Sequence, residues 1–335
     1  MSPSVIPLAG TGAIDSIGTP TLWAVTIGAV VALLAVDFLV TRKPHEVSMR
    51  EAIAWSAFYV ALPLAFGVYV WTQFGGERGL EYYTGYLVEK SLSVDNLFVF
   101  MLLLGAFAVP RALQQRVLLY GIIGALVLRG IFIALGAAAL SRFDWVFLVF
   151  GLILLATGVK VLRDARSGAD HEVDVSKLAI VRLIRRFLPV TEEYDGPRLT
   201  VQQAGRRALT PFALVVVVVF ATDIVFAIDS VPAVYGITGD PYLVFATNAF
   251  ALLGMRALYF VLEAALSKLV HLGFGLAAIL GFIGVKLVLH WAHLLWPAVP
   301  DIPTLASLAV IVGILVTVTV TSLVASHRQE AVALT

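Results

Sequence analysis

Residues 89 to 100, EKSLSVDNLFVF, set Glu89, Lys90, Asp95 and Asn96 into a stretch otherwise apolar enough to lie in lipid. A second stretch at 222 to 234, TDIVFAIDSVPAV, repeats the arrangement with Asp223, Asp229 and Ser230, its two acids again six residues apart. Carboxylates, an amide carbonyl, hydroxyls and main-chain oxygens are the ligands of hard cations such as Mg²⁺, Ca²⁺ and Mn²⁺, whereas soft ions prefer sulfur. Pro232 adds a further oxygen: a proline inside a helix leaves the carbonyl of Ile228 without its helical donor, beside Asp229. A simple kink at Pro232 is the competing reading.

Helical spacing sharpens the pattern. At about 100° per residue, positions seven apart share a face, which pairs Glu89 with Asn96 and Asp223 with Ser230. Asp95 shares its face with Ser91 four residues earlier, and Asp229 with Thr222. Each helix therefore carries a polar sector that lipid cannot accept, since one ionised side chain at the bilayer centre costs about 2.5–3.5 kcal/mol on insertion scales. Four converging carboxylates must be protonated, bound to a cation, or paired with Lys90, Arg129, Arg256 or Lys286. Counting Asp37, five acids face four bases, so internal pairing is arithmetically close to complete. A membrane-embedded ionisable cluster nevertheless marks an ion pathway by default.

The elements that would position these residues are long apolar helices. The chain has 335 residues, 60% of them hydrophobic and 13% charged, with a net charge of +1 and a mean hydropathy of +0.95. Runs of about 20 apolar residues, enough to cross about 30 Å of hydrocarbon, recur along its length. The pattern predicts an all-α polytopic membrane bundle of about nine transmembrane helices, near 21–41, 51–73, 80–108, 113–139, 143–163, 209–237, 242–263, 267–291 and 304–325. The first twenty residues contain no Lys or Arg, so no cleavable signal peptide is expected and the first span stays in place. With no cysteine the chain offers no disulfide, thiolate metal site or thiol nucleophile.

Positive charge sorts the connections. Arg42, Lys43, Arg50, Arg111, Arg116, the basic stretch from Arg163 to Arg207, Lys268 and Arg328 fall on one side; Arg78 and Arg142 fall on the other. The expectation is a multi-pass protein of the cell's inner (plasma) membrane with its N-terminus outside and its C-terminus cytoplasmic. Trp23, Trp71, Trp145, Trp291 and Trp296 fall near the ends this topology makes external, and Trp55 near an internal one. The connection at about 164–208 is too polar to span. Within it LAIVRLIRRFLPV places Arg182, Arg185 and Arg186 as in a short helix lying on the inner leaflet, with a solvated linker as the alternative.

The two acidic stretches also belong to a longer internal repeat. Aligning Glu89 with Asp223, Asp95 with Asp229 and Asn96 with Ser230 brings VLLYGIIGALVLRGIF over VFATNAFALLGMRALY, and Arg129 over Arg256. The unit is a three-helix block, about 80–163 against about 209–291, within a single transmembrane domain of residues 1–335. Three helices is an odd number, so the second block enters from the opposite face. Inverted repeats of this kind build transporters, with the substrate near mid-depth where the halves meet.

Other residues read more plainly. Asn248, eight before Arg256, either joins the acids or bonds a neighbouring helix. Asp37 is a site member or an interfacial anchor. His290 and His293 suit interfacial imidazoles beside Trp291 better than metal ligands. Tyr82, Tyr83 and Tyr86 suggest an aromatic belt, and the small residues of 121–125 and 273–284 suggest close helix packing. Phosphate loops, paired-histidine zinc motifs and nucleophile elbows are absent from the sequence, so no enzymatic role, organic cofactor or nucleic-acid partner is expected.

EKSLSVDNLFVF, TDIVFAIDSVPAV and TNAFALLGMRALYF, with RRFLPVTEEYDG in the long connection, resemble the signatures of the TerC family of integral membrane proteins, over most of the chain. The family is named for tellurium resistance, and bacterial members are implicated in Mn²⁺ export and, for some, the alkaline pH response. The resemblance implies that Glu89, Asp95, Asn96, Asp223, Asp229 and Ser230 handle metal; the charge and spacing arguments above place Asp37, Lys90, Arg129, Asn248, Arg256 and Ile228 as candidates around them. Where many members carry a further glutamate, three residues before the first aspartate of the second motif, this chain has Phe220. The expected function is export of a divalent cation, manganese first, by alternating access, with protons as possible counter-ions. A non-transporting scaffold that organises metal or tellurite stress partners through the long connection is the alternative. Handling of a tellurium oxyanion fits less well, because the motifs repel anions.

Overall fold

The computed structural model describes residues 16–40, 48–167, 179–187, 189–191, 193–203, 206–265 and 271–333. Eleven helices and a two-stranded hairpin are described: α1 (Pro20–Val40), α2 (Met49–Phe74), α3 (Gly76–Ala106), α4 (Arg111–Leu140), α5 (Trp145–Ser167), α6 (Ala179–Phe187), β1 (Thr200–Gln203), β2 (Arg206–Leu209), α7 (Pro211–Tyr235), α8 (Pro241–Leu253), α9 (Met255–Ala265), α10 (Leu272–Leu295) and α11 (Thr304–Ala333). Arg42, Lys43 and Lys268, used above for sorting the connections, lie outside the described residues, as do the first fifteen residues and 168–178.

Seven helices, α1, α2, α4, α5, α7, α10 and α11, are long and apolar enough to cross a membrane. The expected span at 242–263 is instead two helices, α8 and α9, bent by 45° at Gly254; counted as one span, the pair makes eight. The expected third span is α3, which at 31 residues is long enough at about 46 Å. It is more polar than the seven because Glu89, Lys90 and Asp95 crowd its middle. The residues that suggest chemistry are thus the ones that make the helix too polar to pass as lipid-embedded.

Helix ends follow local chemistry. Ser48 caps α2 by accepting from the Glu51 N–H, Thr210 caps α7 through the Ala213 N–H, and Asp240 caps α8 through the Tyr242 N–H at 2.8 Å. Proline stands in the first turn of α7 and α8, where its missing N–H costs nothing. Gly75 turns α2 into α3 with φ of 91°, a conformation a side chain would strain.

The centre of the bundle is interleaved. α3 packs against α7 and α8, and α4 packs against the same two helices. α3 and α7 run antiparallel: Thr238, just past α7, donates to Glu81 near the start of α3 at 2.8 Å, while Tyr194, in the segment leading to α7, donates to the Phe107 carbonyl at the far end of α3 at 2.8 Å. The small residues do pack helices together. Gly121 and Gly124 of α4 receive Val219 and Phe220 of α7, and Gly284 of α10 sits on Gly151 of α5.

Around this centre, α1, α2, α5 and α11 turn Val, Leu, Ile and Phe side chains outward, as a lipid-facing surface requires. The long connection contributes α6, as expected, and the β1–β2 hairpin, which was not. α6 tucks Val181 inward and leaves Leu183 and Phe187 exposed. The tyrosine belt is corrected: Tyr82 and Tyr86 are buried, Tyr82 donates to the Pro63 carbonyl, and Tyr83 donates to the Leu64 carbonyl. Tyr82 and Tyr83 fasten α3 to α2 through these two carbonyls, while the ring of Tyr86 stacks on Tyr82.

Candidate functional site: a buried acid pair bridged by Arg129

α3 brings Glu89 inward and α7 brings Asp223 inward; both are almost wholly buried. Arg129 of α4 joins them. One terminal nitrogen donates to Glu89 Oε1 and to Asn248 Oδ1 of α8 at 2.9 Å, and the other lies 3.4 Å from Asp223 Oδ1. Four helices thus meet on one guanidinium. Asn248 is held in place by its own amide, which donates to the Val244 carbonyl at 2.9 Å.

The site is incompletely satisfied. Among the described residues, Glu89 Oε2, Asp223 Oδ2, Ser93 Oγ, Asn96 Nδ2, Ser230 Oγ and Arg129 Nε are buried with no hydrogen-bond partner. Buried polar atoms are ordinarily paired, and each exception calls for an explanation. Carboxylate oxygens with open lone pairs, hydroxyls and an amide that can present oxygen when turned over are each the kind of donor a hard cation takes.

The spacing argument about faces holds, with a distinction inside it. Glu89 and Asn96, and Asp223 and Ser230, are deeply buried, whereas Asp95 and Asp229 are half-buried. Asp229 lies within electrostatic reach of both Arg129 and Asp95. Four carboxylates do not, however, close on one point: among the described residues no group of three or more His, Cys, Asp or Glu side chains could hold a metal ion.

Other expected members stand elsewhere. Arg256 of α9 leaves the acid pair and bonds Asp37 of α1 at 2.8 Å and Gln115 of α4 at 2.9 Å. Asp37 is accordingly a buried ion-pair partner, not an interfacial anchor. Lys90 is half-buried and reaches the Ala251 carbonyl, 3.5 Å away at the end of α8. Ile228 turns its side chain outward, while α7 continues through Pro232 to Tyr235. His290 and His293 turn to separate acceptors, Asp301 at 2.9 Å and the Val299 carbonyl at 2.6 Å.

Two contributors were missed. Ser93 lies one turn past Glu89 on the same face, a signal that the i to i+4 rule makes visible. Gln115, the partner of Arg256, was signalled only by being an amide in an apolar span.

The model of the "Integral membrane protein TerC family" matches residues 74–330. This chain belongs to the TerC family. The match takes in the buried acid pair, Arg129 and both ends of the α3–α7 seam. An uncharacterized membrane protein of Myxococcus xanthus is 44% identical over 93% of this chain and 95% of its own length. An uncharacterized membrane protein of Mycobacterium tuberculosis is 44% identical over 81% of this chain and 69% of its own. Alx of Escherichia coli K12, named as a membrane-bound redox modulator, is 38% identical over 94% of this chain and 98% of its own. No solved structure matches. Family membership and the apolar helices make the chain an integral multi-pass membrane protein.

Proposed function

We propose that this TerC protein exports a divalent metal cation, Mn²⁺ foremost, across the inner membrane through the seam between α3–α4 and α7–α8. The observation that carries the reading is the pair Glu89 and Asp223, buried on antiparallel helices, each with one oxygen left unpartnered. A protein that stabilised its bundle with these acids alone would satisfy both oxygens or use apolar residues, because half-satisfied buried charge is costly. The cation would be held by these two carboxylates with hydroxyl and amide oxygens from Ser93, Asn96 and Ser230, a mixed oxygen shell that suits Mn²⁺ or Ca²⁺.

Two contacts support an inverted-repeat arrangement in which the halves rock about this seam. Asp95 and Asp229, matched in the repeat alignment, lie within each other's electrostatic reach. Gly151 of α5 and Gly284 of α10, the third helices of the two blocks, press backbone to backbone. α3, with its acids turned inward, serves as a ninth span, and the N-terminus lies outside. The break at Gly254 makes α8–α9 a discontinuous span of the sort that forms ion sites in transporters.

Expression in cells lacking their own manganese exporters tests the reading. The expected result is lower cellular Mn²⁺ and restored manganese tolerance, lost in the Glu89→Gln/Asp223→Asn double variant at equal expression. Unchanged metal content and tolerance with the native protein contradict it.

The scaffold reading rests on the long connection, which is anchored through Tyr194 and presents α6 with Arg182, Arg186, Leu183 and Phe187. It expects removal of residues 166–205 to abolish function and neutralised acids to be harmless. The redox description of Alx carries over to this chain only without thiol chemistry, since the chain has no cysteine.

A further inference from the structure

Arg129 occupies the acid oxygens a metal ion would need. Its terminal nitrogens engage Glu89 Oε1 and Asp223 Oδ1, from two helices in opposite halves of the chain, and Asn248 Oδ1 from a third. A guanidinium stays protonated in any protein environment. It therefore neutralises part of the acid pair whenever it is in place, without needing a proton from solvent. Its counterpart in the repeat alignment, Arg256, is committed to Asp37 and Gln115, and Lys90 is turned to Ala251. Among the described residues Arg129 is thus the basic side chain bonded to Glu89 and Asp223.

A carrier that has released a divalent ion into metal-free buffer has to return without it. With the acid pair ionised and bare in a low-dielectric interior, that return is obstructed by the cost of unpaired buried charge. A cation that cannot leave removes the obstruction. The unpartnered Nε of Arg129 and the unpartnered second oxygens of Glu89 and Asp223 show that the guanidinium does not saturate this site, so a doubly charged ion with a full oxygen shell can displace it.

Resting on the transport reading above, we propose that Arg129 is a tethered cation that replaces the metal on Glu89 and Asp223 in the empty carrier and so permits its return. It acts as a positioning and charge-balancing residue: the metal-loaded form crosses without it, the metal-free form does not.

The test separates exchange from net transport in proteoliposomes of the full chain, using radiolabelled Mn²⁺. Exchange with Mn²⁺ on both sides needs only the loaded form; net efflux into metal-free buffer needs the empty one to return. Arg129→Gln is expected to lose net flux by about tenfold or more while exchange persists, and Arg129→Lys, which keeps the charge, to recover net flux at a reduced rate. Net flux in Arg129→Gln equal to the native rate overturns the inference and leaves the transport reading standing. Loss of both exchange and net flux in Arg129→Gln passes the decision to Arg129→Lys: recovered net flux supports the inference, and absence of net flux there makes Arg129 purely structural and overturns it. Native protein that shows neither exchange nor net flux overturns the transport reading itself.

Discussion

Asp37 of α1 and Arg256 of α9 form a buried ion pair at 2.8 Å, which ties the first helix to the broken span. Gln115 of α4 accepts from the other terminal nitrogen of the same guanidinium at 2.9 Å, so three elements depend on one side chain. Breaking a buried pair by removing one partner costs about 3–5 kcal/mol, because the survivor stays charged and buried. Arg256→Gln is therefore expected to lower the thermal stability of the detergent-solubilised protein strongly. The double variant Asp37→Asn/Arg256→Gln should recover a large part of the loss. A melting experiment in which the single variant matches the native protein contradicts this assignment.

Gly151 and Gly284 face each other across α5 and α10, and a Cβ added at either would lie 2.9 Å from the other's carbonyl oxygen. A backbone atom cannot step aside as a flexible side chain can. Gly151→Val or Gly284→Val should force the helices apart, at about 1–3 kcal/mol for overpacking or more. Gly281→Ala, whose added Cβ meets nothing within 4 Å, should be nearly neutral. Comparable melting temperatures for all three variants would contradict the packing described.

The break between α8 and α9 predicts a functional effect with little structural cost. A Cβ at Gly254 would stand 3.0 Å from Lys90 Nζ and 3.1 Å from Tyr59 Cβ. Lys90 is flexible and can withdraw, so Gly254→Ala should fold. Withdrawal would remove its contact with the Ala251 carbonyl at the end of α8. Reduced Mn²⁺ flux with unchanged expression and monodispersity is expected; native flux would show that the break plays no part in transport.

Tyr194 anchors the long connection to the end of α3 through the Phe107 carbonyl at 2.8 Å, and burial pushes its phenol up to about 12, so it stays a donor at physiological pH. Tyr194→Phe removes one hydrogen bond, worth about 0.5–1.5 kcal/mol. Protease cleavage within the connection should accelerate modestly while Mn²⁺ flux persists. Abolished flux would instead give this anchor a part in transport itself.

The sequence made the α3 and α7 acids legible because two rules act together: charge is expensive in lipid, and seven residues restore a helical face. Those rules correctly turned Glu89, Asn96, Asp223 and Ser230 inward. Small residues at 121–125 and 273–284 likewise announced close contacts. What spacing could not supply was partner choice among helices distant in the chain. Arg129 and Arg256 occupy matching places in the alignment, yet one bridges Glu89 and Asp223 while the other bonds Asp37, because α1 stands beside the broken span and lies outside the repeat. The bend at Gly254 was hidden because glycine is common in membrane helices, and the 45° change of direction between α8 and α9 has no signature in residue type alone. The tyrosines of α3 were misread because enrichment at interfaces is a statistical tendency, whereas a carbonyl near Pro63 is a specific acceptor.

The central claim is that Glu89 and Asp223 carry a divalent cation. Its most direct test is Mn²⁺ flux in proteoliposomes containing the purified full chain, compared with Glu89→Gln and Asp223→Asn. Native protein should carry Mn²⁺ well above protein-free vesicles, with each variant reduced at least about tenfold at equal reconstitution. Flux in both variants equal to that of the native protein would contradict the account.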